Sequence, residues 1–243
     1  MKVYFVTVGL REEIEVIRKV RPPRLLCSYW YFKNKPMAEF CEELGYQPEI
    51  LLDSGAWSAF TKGKHVNLLD YIEYIRENRD YITRYITLDV IGNPYMTMAI
   101  WDFMNTVGLF PVPVIHYGDD LELLKYYLAE GANLVALGGT VPIHDKSVVA
   151  EWCTEVKRKY PGAELHLLGS SSQKIIACGA VSSCDSSAWY TMAVNGKPKS
   201  IPGKTKTSKI ARAEANMIRI MEEFNEISVP ADNCCGECPD SKI

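Results

Sequence analysis

The chain has 243 residues, of which 47% are hydrophobic and 23% charged, with a formal net charge of −3. That length is close to the ~250 residues of one eight-fold β/α barrel, and the composition is ordinary for a globular domain. The slight negative charge gives no global footprint of a nucleic-acid binder, so any such role must rest on a local patch. No apolar run approaches the ~18 residues of a membrane span. The start, MKVYFVTVGLREEIEVIRKV, meets charges directly after a short apolar run and has no small-residue cleavage site, so no signal peptide is expected. Cys27, Cys153 and Cys178 sit within apolar segments, which suits buried free thiols in a reducing cytoplasm.

Along the chain, short apolar runs alternate with amphipathic stretches. Lys2–Thr7 reads as a first strand, and residues 12–20 then place Ile14, Val16, Ile17 and Val20 at helical spacing. Arg24–Ser28 is a second strand, followed by a helix over residues 36–44 with proline near its first turn. Glu49–Asp53 is a third strand, then an irregular SGAWSAFTKGKHVN and a helix over 68–78. Strands over 84–89, 112–116, 134–138, 164–168 and 180–185 follow, with helices over 95–106, 119–130, 146–159, 173–178 and 208–224. Residues 191–207 read as a loop and 225–243 as a polar tail. Eight apolar strands alternating with helices predict one α/β domain, a single (β/α)8 TIM-like barrel over residues 1–225; an open doubly wound sheet is the alternative.

The strand ends are informative. Asp53 closes the third strand, Asp89 the fourth, His116 the fifth, Gly138-Gly139 the sixth, Gly169 the seventh and Asp185 the eighth. In a parallel barrel all these ends open on the face where active sites are built. Each has a plainer reading: Asp89 as a helix N-cap, His116 as a core histidine, the glycines as turns. Asp53 precedes Ser-Gly-Ala-Trp rather than a helix, so capping fits it less well. Three aspartates in one pocket repel and need a purpose.

These segments resemble, in order, the motifs of the tRNA-guanine transglycosylase family. ILLDSGAWSAF resembles that family's Asp-Ser-Gly-Gly-aromatic-Gln strand end, and YITLDVIG the strand ending in a base-recognising aspartate. VPVIHYG is similar to its Gly-Ile-Val-Gln-Gly-Gly segment, with His116 in place of glutamine. LVALGGTV and HLLGSSS resemble the Ile-Gly-Gly-Leu and Leu-Met-Gly-Val-Gly motifs, and VSSCDSSAW stands where the family has its nucleophile. The resemblance implies a barrel that exchanges guanine in a polynucleotide for a 7-deazaguanine such as 7-cyano-7-deazaguanine, with no cofactor required for the chemistry. It implies Asp185 as nucleophile on C1′ and Asp53 as acid/base. Asp89 would accept from the N–H groups of the base, and Trp57 would stack on it. Ser54, His116, Gly138, Gly139 and Gly169 would line the base site.

The tRNA enzymes also carry a zinc subdomain built on Cys-x-Cys-x-x-Cys and a distant histidine. Here Cys234, Cys235 and Cys238 are present with no histidine after them, so a fourth ligand would have to come from elsewhere. Between Asp185 and Glu214 there is no acidic residue, but Lys197, Lys199, Lys204, Lys206, Lys209 and Arg212 are there. With Lys62, Lys64 and His65 they would form a basic rim for phosphates. The compact form and the Asp-Ser-Ser-x-Trp segment look more like the DNA-modifying relatives of phages and bacterial genomic islands. DNA is therefore expected ahead of tRNA, with the base flipped or single-stranded, in the cytoplasm (the host's, if phage-encoded). A homodimer or a helper protein is compatible with this. The competing readings are a nucleoside glycosidase or ribosyltransferase, and a non-catalytic nucleic-acid-binding subunit.

Overall fold

The structure, a computed structural model, describes residues 1–224; Cys234, Cys235 and Cys238 lie outside the described residues. Eight parallel strands, β1 (Lys2–Thr7), β2 (Arg24–Ser28), β3 (Glu49–Asp53), β4 (Arg84–Tyr85), β5 (Val114–His116), β6 (Leu134–Gly138), β7 (Glu164–Leu167) and β8 (Ser183–Ser186), run in the order β4-β3-β2-β1-β8-β7-β6-β5. A parallel bridge between Ile86 and Val112 joins the two outer strands. There the Thr87 amide donates to the Val112 carbonyl at 2.9 Å and the Val112 amide to the Tyr85 carbonyl at 2.8 Å. The sheet thus curls into the expected TIM-like barrel, with its thinnest seam between β4 and β5. Pro113 faces β6, where its carbonyl accepts from the Ala136 amide at 2.8 Å, and having no N–H it adds no further bond to that ladder, so β5 starts later than predicted; β4 is also shorter than predicted.

The helices are α1 (Arg11–Val20), α2 (Tyr29–Phe32), α3 (Met37–Leu44), α4 (Ala56–Phe60), α5 (Leu68–Glu77), α6 (Pro94–Thr106), α7 (Glu122–Ala129), α8 (Lys146–Lys159), α9 (Gln173–Cys178), α10 (Ala188–Val194) and α11 (Lys206–Glu223). Asn67, Asn93, Asp145 and Thr205 each accept from backbone amides in the first turns of α5, α6, α8 and α11, so these starts are set by local side-chain chemistry. Three short helices were not expected: α2 and α4 follow β2 and β3, and α10 replaces the start of the predicted 191–207 loop. Four to seven residues are too few to show a helical period, and such turns form because the barrel holds their ends. β8 also starts later than predicted. Ala180 and Val181 are buried, but ladder pairing begins only where the Ser182 amide donates to Leu165 at 2.9 Å.

Two apolar clusters explain the near-continuous hydrophobicity of the strands. One lies between sheet and helices and includes Val3, Phe5, Leu25, Ile50, Leu52, Ile115, Val135, Leu137 and Leu165. The other fills the barrel with Tyr4, Leu26, Leu51, Ile86, Val112, Val114, Leu134 and Ala136. Alternate residues of each strand therefore bury into different layers. The same alternation carries the inward side from Leu51 to Asp53, from Val114 to His116, from Ala136 to Gly138 and from Ser183 to Asp185. The barrel thus presents its polar residues at the C-terminal mouth. Deeper in the barrel, the Tyr4 hydroxyl donates to Glu49, and burial and that carboxylate push the Tyr4 pKa up.

Candidate active site

At the end of β3 the chain turns sharply. The Gly55 amide donates to Asp53 Oδ2 at 2.9 Å, and Gly55 has φ +76°. A Cβ there would stand 2.4 Å from Trp30 Cβ and 2.7 Å from Ser28 Oγ, so only glycine fits. Asp53 is half-buried, and its pKa is raised from 3.8 to about 7. Loss of hydration is the largest cause, followed by the charge of Asp89 and then that of Asp185; the Gly55 amide and the Ser28 hydroxyl oppose the rise. The three aspartates expected at one mouth therefore do sense one another.

Asp89 is held on both oxygens. Ser54 Oγ donates to Oδ1 at 3.1 Å, and His116 Nε2 lies 3.0 Å from Oδ2. Ser54 is fully buried and also accepts from the Ala56 amide, so its role is to join α4 to Asp89. His116 Nδ1 lies 3.6 Å from Asp119 Oδ2, which also accepts from the His116 amide at 2.8 Å. Burial alone would lower the His116 pKa. The hydrogen bonds and charges of Asp119 and Asp89 outweigh it and raise the value from 6.5 to about 9. His116 is therefore an imidazolium between two carboxylates at neutral pH, with Asp89 beside one ring nitrogen and Asp119 beside the other. Gly138 stands beside it: a Cβ there would come within 2.8 Å of His116 Cδ2, and one on Gly139 within 3.1 Å of His116 Cβ. In this structure the glycine pair makes room for His116.

Asp185 is only 4% exposed. The Gly169 amide donates to both of its oxygens at 3.0 Å, and His166 Nε2 lies 3.2 Å from Oδ1. His166 Nδ1 is 2.8 Å from Ser183 Oγ. The arrangement closes if Ser183 donates to Nδ1 and Nε2–H donates to Asp185, a tautomer assigned from the network. The His166 ring packs edge-on against Tyr4 at 5.5 Å between centroids. His166 was not singled out from the sequence. In the folded chain it pairs in register with Ala136 and Ser183, both of which face the barrel.

Around the mouth, Trp57 is 44% exposed and stacks on Phe60. Lys62 Nζ stands 4.9 Å from the Tyr31 ring centre and 5.6 Å from that of Trp30, so this cation sits on an aromatic shelf. Lys64, His65, Lys197, Lys199, Lys204 and Lys206 are exposed. One expected rim residue is not on the rim. Arg212 is 5% exposed and donates to the carbonyls of Ala193, Ile201 and Gly203 at 2.8–3.1 Å, so it holds the loop rather than a phosphate. Lys209 pairs with Glu12. Both still line, with Lys204 and Lys206, a cavity of about 600 Å³ at the start of α11. Among the described residues no group of three or more His, Cys, Asp or Glu side chains is arranged to hold a metal ion.

No family model matches the chain, and no curated protein matches it. Its structure is similar to that of a Coccidioides immitis protein described as a fructose-1,6-biphosphate aldolase (TM-score 0.55, 14% identity, covering 92% of this chain and 91% of that one). It is similar also to the YdjI aldolase of Escherichia coli K12 (0.55, 12%, 92% and 90%) and to an N-acetylneuraminate lyase of Fusobacterium nucleatum (0.54, 13%, 93% and 80%). At such identities these likenesses establish the barrel fold and leave the chemistry to the residues at the mouth.

Proposed function

We propose that the chain is an enzyme that exchanges a guanine base in a polynucleotide, DNA ahead of tRNA, for a 7-deazaguanine. The observation that carries this is the convergence of Asp53, Asp89 and Asp185 at one mouth, with two carboxylates in different settings. Asp53 titrates near neutrality, and Asp185 is oriented by an amide and a histidine. Unlike environments for paired carboxylates separate the acid/base from the nucleophile.

An Asp185 oxygen attacks C1′ as the bond from C1′ to the base nitrogen breaks. The bonding pair stays on the base, which takes a proton from Asp53. The incoming base gives its proton to Asp53, attacks C1′ from the vacated side and releases Asp185, so atoms and charges balance and the backbone stays intact. His166 and Gly169 fix the direction of the attacking oxygen. Asp89, already bonded to Ser54 and His116, keeps lone pairs for the N–H edge of a guanine-like base. Trp57 and the shelf around Lys62 supply stacking and a cation beside it.

Exchange of labelled guanine into duplex DNA, single-stranded DNA and tRNA tests the reading. Incorporation into DNA by wild type and none by Asp185→Asn is expected. Label entering tRNA alone would change the polymer, and turnover of a free nucleoside with none on any polymer would replace the reading with a nucleoside glycosidase or ribosyltransferase.

A further inference from the structure

The loops after β7 and β8 enclose a second cavity, of about 410 Å³, walled by residues 169–173 on one side and 186–188 on the other, with Thr191, Met192 and the end of α11 completing it. It adjoins the proposed nucleophile: Gly169, on its wall, gives its amide to Asp185, and Ser186 follows Asp185 in the chain. Its polar lining is mainly hydroxyl, and two of those serines are unspent. Ser170 is 6% exposed and makes no hydrogen bond among the described residues. Ser172 Oγ is buried with no partner. Buried polar groups in folded proteins are nearly always paired, so the partnerless Ser172 Oγ stands out, and Ser170 beside it is a free hydroxyl donor on the same cavity.

We propose that this cavity is a phosphate subsite, taking the phosphate of the nucleotide whose sugar lies over Asp185. A phosphate offers several acceptor oxygens to donors and none of the donors a second sugar or base would bring, which matches hydroxyls lacking acceptors. The amides of residues 170–172 give no hydrogen bond among the described residues and add donors to the same loop. Arg219 and Glu223 both line the cavity and pair with each other, so Arg219 offers guanidinium N–H donors there rather than a net positive charge. In (β/α)8 barrels the loops after strands 7 and 8 are a recurrent place for a phosphate. The identity of the attached nucleoside rests on the base-exchange reading; the phosphate site does not.

The test is a calorimetric titration of the full chain with guanosine, guanosine 5′-monophosphate and guanosine 3′-monophosphate, with inorganic phosphate followed in parallel by 31P line broadening. Wild type, Ser170→Ala and Arg219→Gln are compared. One monophosphate is expected to bind about tenfold more tightly than guanosine, and each variant to shrink that advantage while leaving guanosine affinity unchanged. Which monophosphate gains shows on which side of the sugar the cavity lies. Equal binding of all three ligands would overturn the proposal, as would an advantage that both variants retain. If guanosine itself does not bind, broadening by inorganic phosphate that Ser170→Ala abolishes upholds the subsite, and absence of broadening removes it. A phosphate site without any base exchange would leave the subsite standing and sink the proposed function.

Discussion

Two residues at the mouth make opposite demands on pH. Asp53 binds its proton more tightly folded, at about 7, than its ordinary value of 3.8. Its ionisation therefore costs the folded state nothing below about pH 4, and the cost grows as pH rises to about 7. Asp53→Asn should melt several degrees above wild type near pH 8 and level with it near pH 4, by calorimetry, while losing exchange. His116 works the other way. Its folded pKa of about 9 lies above 6.5, so the stability it contributes is complete below that lower value and lost as pH rises through about 9. His116→Gln should cost on the order of 2 kcal/mol near pH 6 in denaturant unfolding, and much less near pH 10. Both positions were legible as strand ends followed by polar turns. The partnership of His116 with Asp119 was not, because it depends on how the chain folds back after β5.

The strands were legible where both faces are buried by plain apolar alternation, as in β1, β2, β3 and β6, and blurred where proline or a late ladder start intervened, as in β5 and β8. The short helices were invisible to periodicity. α4 shows why this matters: it carries Trp57, and its approach is fixed by Gly55 pressed on Trp30 and Ser28. Gly55→Ala should destabilise the chain by about 2 kcal/mol or more through backbone strain and displacement of Trp30, and weaken base binding with it. His166 was hidden for another reason. A histidine inside an apolar strand reads as core until its inward side is recognised beside Ser183 and Asp185. His166→Phe removes the ring's polar contacts and leaves the buried Ser183 hydroxyl and Asp185 short of a partner, so it should lower kcat and also lower the melting temperature by several degrees.

At the scale of the whole molecule, net charge hides a local contrast between an acidic mouth and a lysine-rich edge. The exposed lysines and the buried Arg212 separate cleanly by experiment. Lys204→Gln with Lys206→Gln should flatten the dependence of log Kd on log salt for duplex DNA by about 2 if both meet phosphates. Arg212→Met should instead lower stability, leaving that slope unchanged, because its guanidinium bonds three carbonyls of its own loop. The barrel itself was legible because eight apolar runs alternate with amphipathic stretches along the chain.

The most direct measurement on the central claim is trapping of the covalent intermediate: wild type and Asp185→Asn incubated with a guanine-containing DNA oligonucleotide, denatured, and weighed by intact mass spectrometry with peptide mapping. The expected result is an oligonucleotide that has lost guanine, joined to the peptide containing Asp185, discharged by added guanine or 7-deazaguanine, and absent from Asp185→Asn. Base exchange on DNA with no such adduct, or an adduct that survives in Asp185→Asn, would contradict the assignment of Asp185 as the nucleophile.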